Sequence, residues 1–264
     1  YWGEHAPGIK NIAATAKSMH NILLAHGNAV EIAREYHHKN IGIVLNKTHV
    51  LPHSNKEEDK FAAKIYDEIH NTWFDEAIFK GKYPKQLLNI LRPYMPENYS
   101  NDLKKISNKI DWIGINYYTR TIVKKDINEK YFAFKVQQGK LPKTEMGWEI
   151  YPKGLTQVIK KLTKNYSKSM PIFITENGMA HPDNFEKEVI DDQERISFYQ
   201  KHLLEIKNLL KRGIPLKGFF AWSLLDNFEW SYGYSKRFGL IYVDFKNQKR
   251  VPKNSWFEFK KALK

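Results

Sequence analysis

The chain has no cysteine in 264 residues. That excludes a disulfide framework, a thiolate metal site and a cysteine nucleophile. It also lacks any apolar run near the ~18 residues that a membrane-spanning helix needs. No phosphate-cradling glycine loop, no zinc motif and no Ser/His/Asp order stands out, so no cofactor and no metal are expected. Low-complexity segments and an obvious linker are missing too. No secretory leader is seen, and the first residue is Tyr1 rather than methionine, which leaves the compartment open.

Acidic residues are in the minority: 43 Lys+Arg stand against 29 Asp+Glu, a formal charge of +14. A basic chain can attract nucleic acid or an anionic membrane. Here the lysines are spread over many helix-like stretches (Lys104-Lys105, Lys160-Lys161, Lys260-Lys261), so they read as solvated faces. Neither a nucleic-acid nor a membrane partner is expected.

With 42% hydrophobic and 14% aromatic residues, the chain has enough for one large domain or two small ones. Helical spacing runs over 13–36, 56–79, 83–91, 155–166, 191–212 and 255–263, and 124–145 reads as a long polar loop. Four short apolar runs alternate with these helices: 41–45, 111–116, 171–175 and 218–222. Such runs predict buried strands of a parallel sheet covered on both faces. Four strands do not close an eight-stranded barrel, and the first element is a helix, so the pattern suggests about four β/α units, half of a (β/α)8 barrel.

The run Pro171-Ile172-Phe173-Ile174-Thr175 ends in Glu176, followed by the turn dipeptide Asn177-Gly178. Catalytic groups of parallel barrels sit at such strand ends. A solvated loop glutamate is the ordinary alternative, but the aromatic and acidic cluster at 218–234, after another strand, favours a site. Of the histidines, His26 lies on an apolar helix face and is expected to be a satisfied structural residue; none of His5, His20, His26 or His37-His38 has metal-ligand spacing.

Several segments resemble family 1 of the glycoside hydrolases, the β-glucosidase group. They are Thr175-Glu176-Asn177-Gly178, Trp222-Ser223-Leu224-Leu225-Asp226-Asn227-Phe228-Glu229-Trp230, Asp111-Trp112-Ile113-Gly114-Ile115-Asn116-Tyr117-Tyr118-Thr119, Gly3-Glu4-His5-Ala6-Pro7-Gly8, and residues 20–27, 79–84 and 147–155. The similarity is collinear along the whole chain. It implies the C-terminal half of a TIM barrel, a single glycoside hydrolase domain over 1–264 lacking its N-terminal half. It also implies a retaining β-glycosidase acting on β-glucosides or oligosaccharides. Such chemistry uses a carboxylate nucleophile and a second carboxyl as acid then base. By resemblance Glu176 is the nucleophile, Tyr118 its hydroxyl support and Asn116 its neighbour. Trp222 is the platform under the sugar, Glu229 and Trp230 read its hydroxyls, Phe238 lines the region near C6, and Trp148 packs against the aglycone. Glu229, where phosphoglycosidase relatives carry serine, favours a non-phosphorylated sugar; Lys236 alone does not argue otherwise.

The family's acid/base glutamate belongs to a Thr-x-Asn-Glu-Pro motif. None occurs in this sequence; Met95-Pro96-Glu97-Asn98 has the residue types reversed. Glu4, Glu145, Glu149 and Glu229 are not assumed to replace it. Two readings result: an enzyme completed by a missing N-terminal half, or an inactive half-barrel remnant that binds sugar weakly.

Overall fold

The computed structural model describes residues 3, 5–129, 131–166, 168–183 and 190–263. Tyr1 and Glu4 lie outside the described residues, and so do the expectations resting on them.

The chain opens with helix α1 (Ile12–Glu35), whose first turn is capped by the Asn11 side chain accepting from the Ala14 N–H at 3.0 Å. Strand β1 (Gly42–Pro52) leads into α2 (Glu57–Asp67) and, through a π-helical turn at Glu68–Thr72, into α3 (Trp73–Lys80). The helix expected over 56–79 is therefore present but widened in its middle. The wide turn places the Glu68 carboxylate to accept the Leu87 N–H at 2.8 Å, and lets Asn71 donate to the Thr48 carbonyl at 2.9 Å. Short helices α4 (Lys85–Leu91) and α5 (Tyr99–Ile106) follow. Then come β2 (Trp112–Lys125), β3 (Phe134–Gln137), α6 (Pro152–Asn165) and β4 (Ile172–Asn177). The chain closes with α7 (Gln193–Lys211), β5 (Leu216–Ala221), β6 (Ile241–Val243), β7 (Arg250–Pro252) and α8 (Asn254–Ala262).

The main sheet has the order β1-β2-β4-β5, all parallel, with β3 antiparallel to the far end of β2. All four expected strands are found, connected through helices as a parallel sheet requires. Alternate residues of β2 and β4 (Ile113, Ile115, Tyr117, Ile172, Ile174) are at most 1% exposed and enter one core with helices packed behind the sheet.

The opposite face departs from expectation. Val44 of β1 is 43% exposed and Phe220 of β5 is 56% exposed. Among the described residues no second helical layer covers this face, so the expected two-sided burial is corrected to one-sided. The reason is visible in β1, where buried Leu45 and Lys47 alternate with exposed Val44 and Asn46. Its apolar run conceals a period of two. The long loop expected over 124–145 is also corrected: β2 continues to Lys125 and β3 returns along it.

Candidate active site

Strand register assembles the first part of the site. Asn116 of β2 lies opposite Glu176 of β4, so both side chains reach the same strand-end level. Two residues further along β2, the Tyr118 hydroxyl donates to Glu176 Oε2 at 2.5 Å. Burial first, and then this carboxylate, push the Tyr118 pKa far up, so its hydroxyl stays protonated and donating. Asn116 accepts from the Thr175 hydroxyl at 2.7 Å, and Asn177 donates to the Tyr117 carbonyl at 2.7 Å. These bonds fix the strand end from both sides. Its neighbour Tyr117 points to the other face, where its hydroxyl donates to the Tyr151 carbonyl at 2.7 Å.

The second part is the segment after β5. The Trp222 N–H donates to the Asn177 carbonyl at 2.9 Å. The glycine of Thr175-Glu176-Asn177-Gly178 is required here, because a Cβ at Gly178 would stand 1.8 Å from the Trp222 carbonyl oxygen. Gly178→Ala must push two backbones apart. It is expected to cost about 1–3 kcal/mol and to lower ligand binding at this site, measured by urea unfolding and by calorimetric titration with an iminosugar.

Glu229 is half-buried and its pKa is raised, first by desolvation and then by the charge of Glu176. The two carboxylates therefore share one electrostatic neighbourhood. Trp230 is 75% exposed with φ +43°, so the described residues do not enclose it. The Trp148 ring lies 5.3 Å from the Tyr118 ring and 6.3 Å from Phe238. Phe238, 1% exposed and 6.3 Å from Tyr118, packs beneath this cluster and presents almost no open surface. Asn116, Tyr118 and Glu176 are thus brought together, with Glu229 near enough to feel the Glu176 charge, Trp148 and Phe238 packed at an angle to Tyr118, and Trp222 tied to the strand carrying Glu176.

The other acids considered are engaged elsewhere. Glu149 is buried, receives Arg120 Nε and the Leu141 N–H, each at 2.7 Å, and holds the segment bearing Trp148. Lys236 donates to the Glu145 carbonyl at 3.1 Å and to its Oε1 at 3.3 Å. That lysine is therefore committed to an internal contact. His20 is buried between the Tyr83 hydroxyl and Asp102 at 2.8 and 3.1 Å, a structural role. The expectation that His26 is satisfied is corrected, since its buried Nε2 has no hydrogen-bond partner among the described residues; packing between helices, which lowers its pKa by desolvation, offers none.

Sequence reading missed the buried charges under the site. Asp183, Asp192 and Asp226 interleave with Arg195, Arg237 and Lys253. Asp226 accepts from Arg237 at 2.6 Å, Lys253 and the Gly239 N–H at 2.9 Å, and the Val243 N–H at 3.3 Å. The available signal was Asp226 itself, an acid directly after the apolar pair Leu224-Leu225. At the edge of this network His181 faces Asp183 at 3.2 Å and Glu194 at 3.0 Å. Its pKa is raised, chiefly by the bond to Asp183. A raised folded value means the contribution is complete below pH ~6.5 and is lost as pH rises through the folded pKa. Thermal stability of the wild type should therefore fall across that interval more steeply than that of His181→Gln, measured by calorimetry from pH 5.5 to 8.5.

A parallel α/β sheet presenting a tyrosine-supported glutamate beside a Trp- and Glu-bearing loop at its strand ends defines a glycoside hydrolase architecture. The chain belongs to Glycosyl hydrolase family 1, whose family model matches residues 1–264. It is 41% identical over 266 residues to "Beta-glucosidase A" of Thermotoga maritima, covering all of this chain and 59% of that protein. It is 38% identical over 288 residues to a "6-phospho-beta-galactosidase" of Clostridium acetobutylicum, covering 98% of this chain and 61% of that one. Among solved structures, a family 1 β-glucosidase from Thermotoga maritima superposes with a TM-score of 0.94 at 40% identity, over 99% of this chain and 59% of that one. A structure of the Thermotoga maritima β-glucosidase in complex with deoxynojirimycin matches equally, with a TM-score of 0.94 at 41% identity. The chain thus spans about 59% of the length of these relatives. These coverages give no support to the C-terminal placement expected from sequence.

Proposed function

We propose that this chain supplies the nucleophile and sugar-reading half of a retaining β-glycosidase site, with Glu176 as nucleophile. The observation that carries this reading is the 2.5 Å bond from the Tyr118 hydroxyl to Glu176 at the C-terminal end of a parallel strand. In the proposed first step Glu176 attacks the anomeric carbon, the bond to the leaving oxygen breaks with its electron pair, and a glycosyl ester forms. Tyr118 holds and orients the carboxylate by donating to it. Glu229 and Trp230 bind the sugar hydroxyls over the Trp222 ring, Asn116 stands beside Glu176, Trp148 packs against the leaving group, and Phe238 lines the region near C6. Water then cleaves the ester.

Residues 1–264 form one glycoside hydrolase domain in this reading, with the four β/α units as half of a barrel. The acid that protonates an ordinary leaving group comes from polypeptide outside these 264 residues, and its loss costs roughly 10²–10⁴-fold. Lys236, held by Glu145, and the acid Glu229 support a non-phosphorylated glucoside. The sequence also favours a second reading, an inactive half-barrel with weak sugar binding: it contains no Thr-x-Asn-Glu-Pro acid.

A 2-deoxy-2-fluoro-β-glucoside bearing dinitrophenolate tests the nucleophile and the sugar pocket alone, because that group departs without a proton. One sugar adduct by intact mass, mapped to Glu176, is the result expected of the enzyme. Folded protein without an adduct would mean that this chain on its own is not a glycosidase and that its pocket needs polypeptide from outside these 264 residues.

A further inference from the structure

The nucleophile and the sugar-reading glutamate sit on different segments, and one buried cation joins them. Lys253 is 0% exposed, although it precedes α8 and lies far along the chain from either glutamate. Its ammonium bonds Asp183, seven residues past Glu176, and Asp226 at 2.9 Å, three residues before Glu229. Its backbone N–H donates to the Leu240 carbonyl at 3.0 Å, and the Leu240 N–H donates to the Ser223 carbonyl at 2.8 Å. The same lysine therefore closes the base of the loop that carries Glu229.

Other charges surround it without duplicating the bridge. Arg195 serves Asp183 and Asp192, and Arg237 serves Asp226. Arg195 does reach the second loop, but through the Arg237 carbonyl, at 3.0 Å. Among the described residues only Lys253 forms an ion pair with both Asp183 and Asp226. Three carboxylates face three cations, so removing Lys253 leaves one buried negative charge uncompensated between the two loops.

We infer that Lys253 is a positioning residue that fixes the separation of Glu176 and Glu229 by bridging Asp183 and Asp226. The inference rests on the glycosidase reading of those two glutamates. A sugar must meet both at once, so a loosened bridge weakens capture of the sugar more than the reactivity of Glu176 once the sugar is bound.

The test compares wild type with Lys253→Met and with Lys47→Met, which removes another buried lysine, paired with Asp75 behind the sheet. Amide hydrogen exchange is read first on the unliganded chain. Lys253→Met should speed exchange of Ser223, Gly239, Leu240 and Val243 at least tenfold while the amides of β1 stay within twofold; Lys47→Met should not. With the fluoroglucoside, Lys253→Met should raise the half-saturating concentration at least tenfold and change the limiting labelling rate less than threefold. Unchanged exchange at those four amides, or an equal rise throughout β1 and β2, overturns the inference, as does an identical labelling change in Lys47→Met. If the wild type takes no label, the glycosidase reading falls, and the exchange pattern alone decides whether Lys253 holds the loops together.

Discussion

Glu176→Gln is expected to bring the rate of sugar-adduct formation from the fluoroglucoside below detection, a fall of at least ~10⁴-fold. The amide matches the carboxylate in shape, so its carbonyl oxygen can still accept the Tyr118 hydroxyl that bonds Glu176 Oε2 at 2.5 Å. What it loses is the charge and the lone pair that form the ester. The comparison is informative because little else should change: Glu176 belongs to β4, whose register with β2 and β5 is set by backbone pairing. Unfolding midpoints should therefore agree closely between variant and wild type. An adduct persisting at the wild-type rate, mapped to another residue, would remove Glu176 from the role and leave Glu229 as the acid to examine next.

The largest stability effect is expected from Asp226→Ala, about 3–5 kcal/mol, or on the order of 10 °C in melting temperature. Asp226 is 5% exposed and accepts from two cations and two backbone N–H groups. Truncation leaves Lys253 and Arg237 with their remaining partners only, and leaves the Gly239 N–H buried without an acceptor. Calorimetric unfolding of the variant and wild type at one pH checks this. Asp226→Asn should lose less, since the amide keeps an acceptor for one N–H. A loss below ~1 kcal/mol in the alanine variant would mean that water readily replaces the carboxylate.

The strands were legible because each is a short apolar run bounded by turn residues, and Glu176 was legible because it ends one. The family resemblance, not periodicity, singled out Asn116, Tyr118, Trp148, Trp222, Glu229, Trp230 and Phe238. Helix α5 escaped because its eight residues bury only Leu103 and Ile106, too few to mark a period. Strand β3 escaped because Lys135, Val136 and Gln137 are polar or exposed and pair along one edge only. The charge network escaped for a different reason. Asp183, Asp226 and Lys253 are separated by dozens of residues, and no local pattern announces that three such groups meet away from water. The open face of the sheet was hidden by composition, since Val44 is as apolar as the buried Leu45 beside it.

Tyr117 and Tyr118 occupy adjacent positions of β2 and send their hydroxyls to opposite sides, one to the Tyr151 carbonyl and one to Glu176. Displacing the strand by one residue would point the wrong ring at each destination and bury a phenol where no acceptor awaits it. The pair thus works as a proofreading mark during folding: the alignment that satisfies the structural tyrosine is also the one that delivers a proton donor to Glu176.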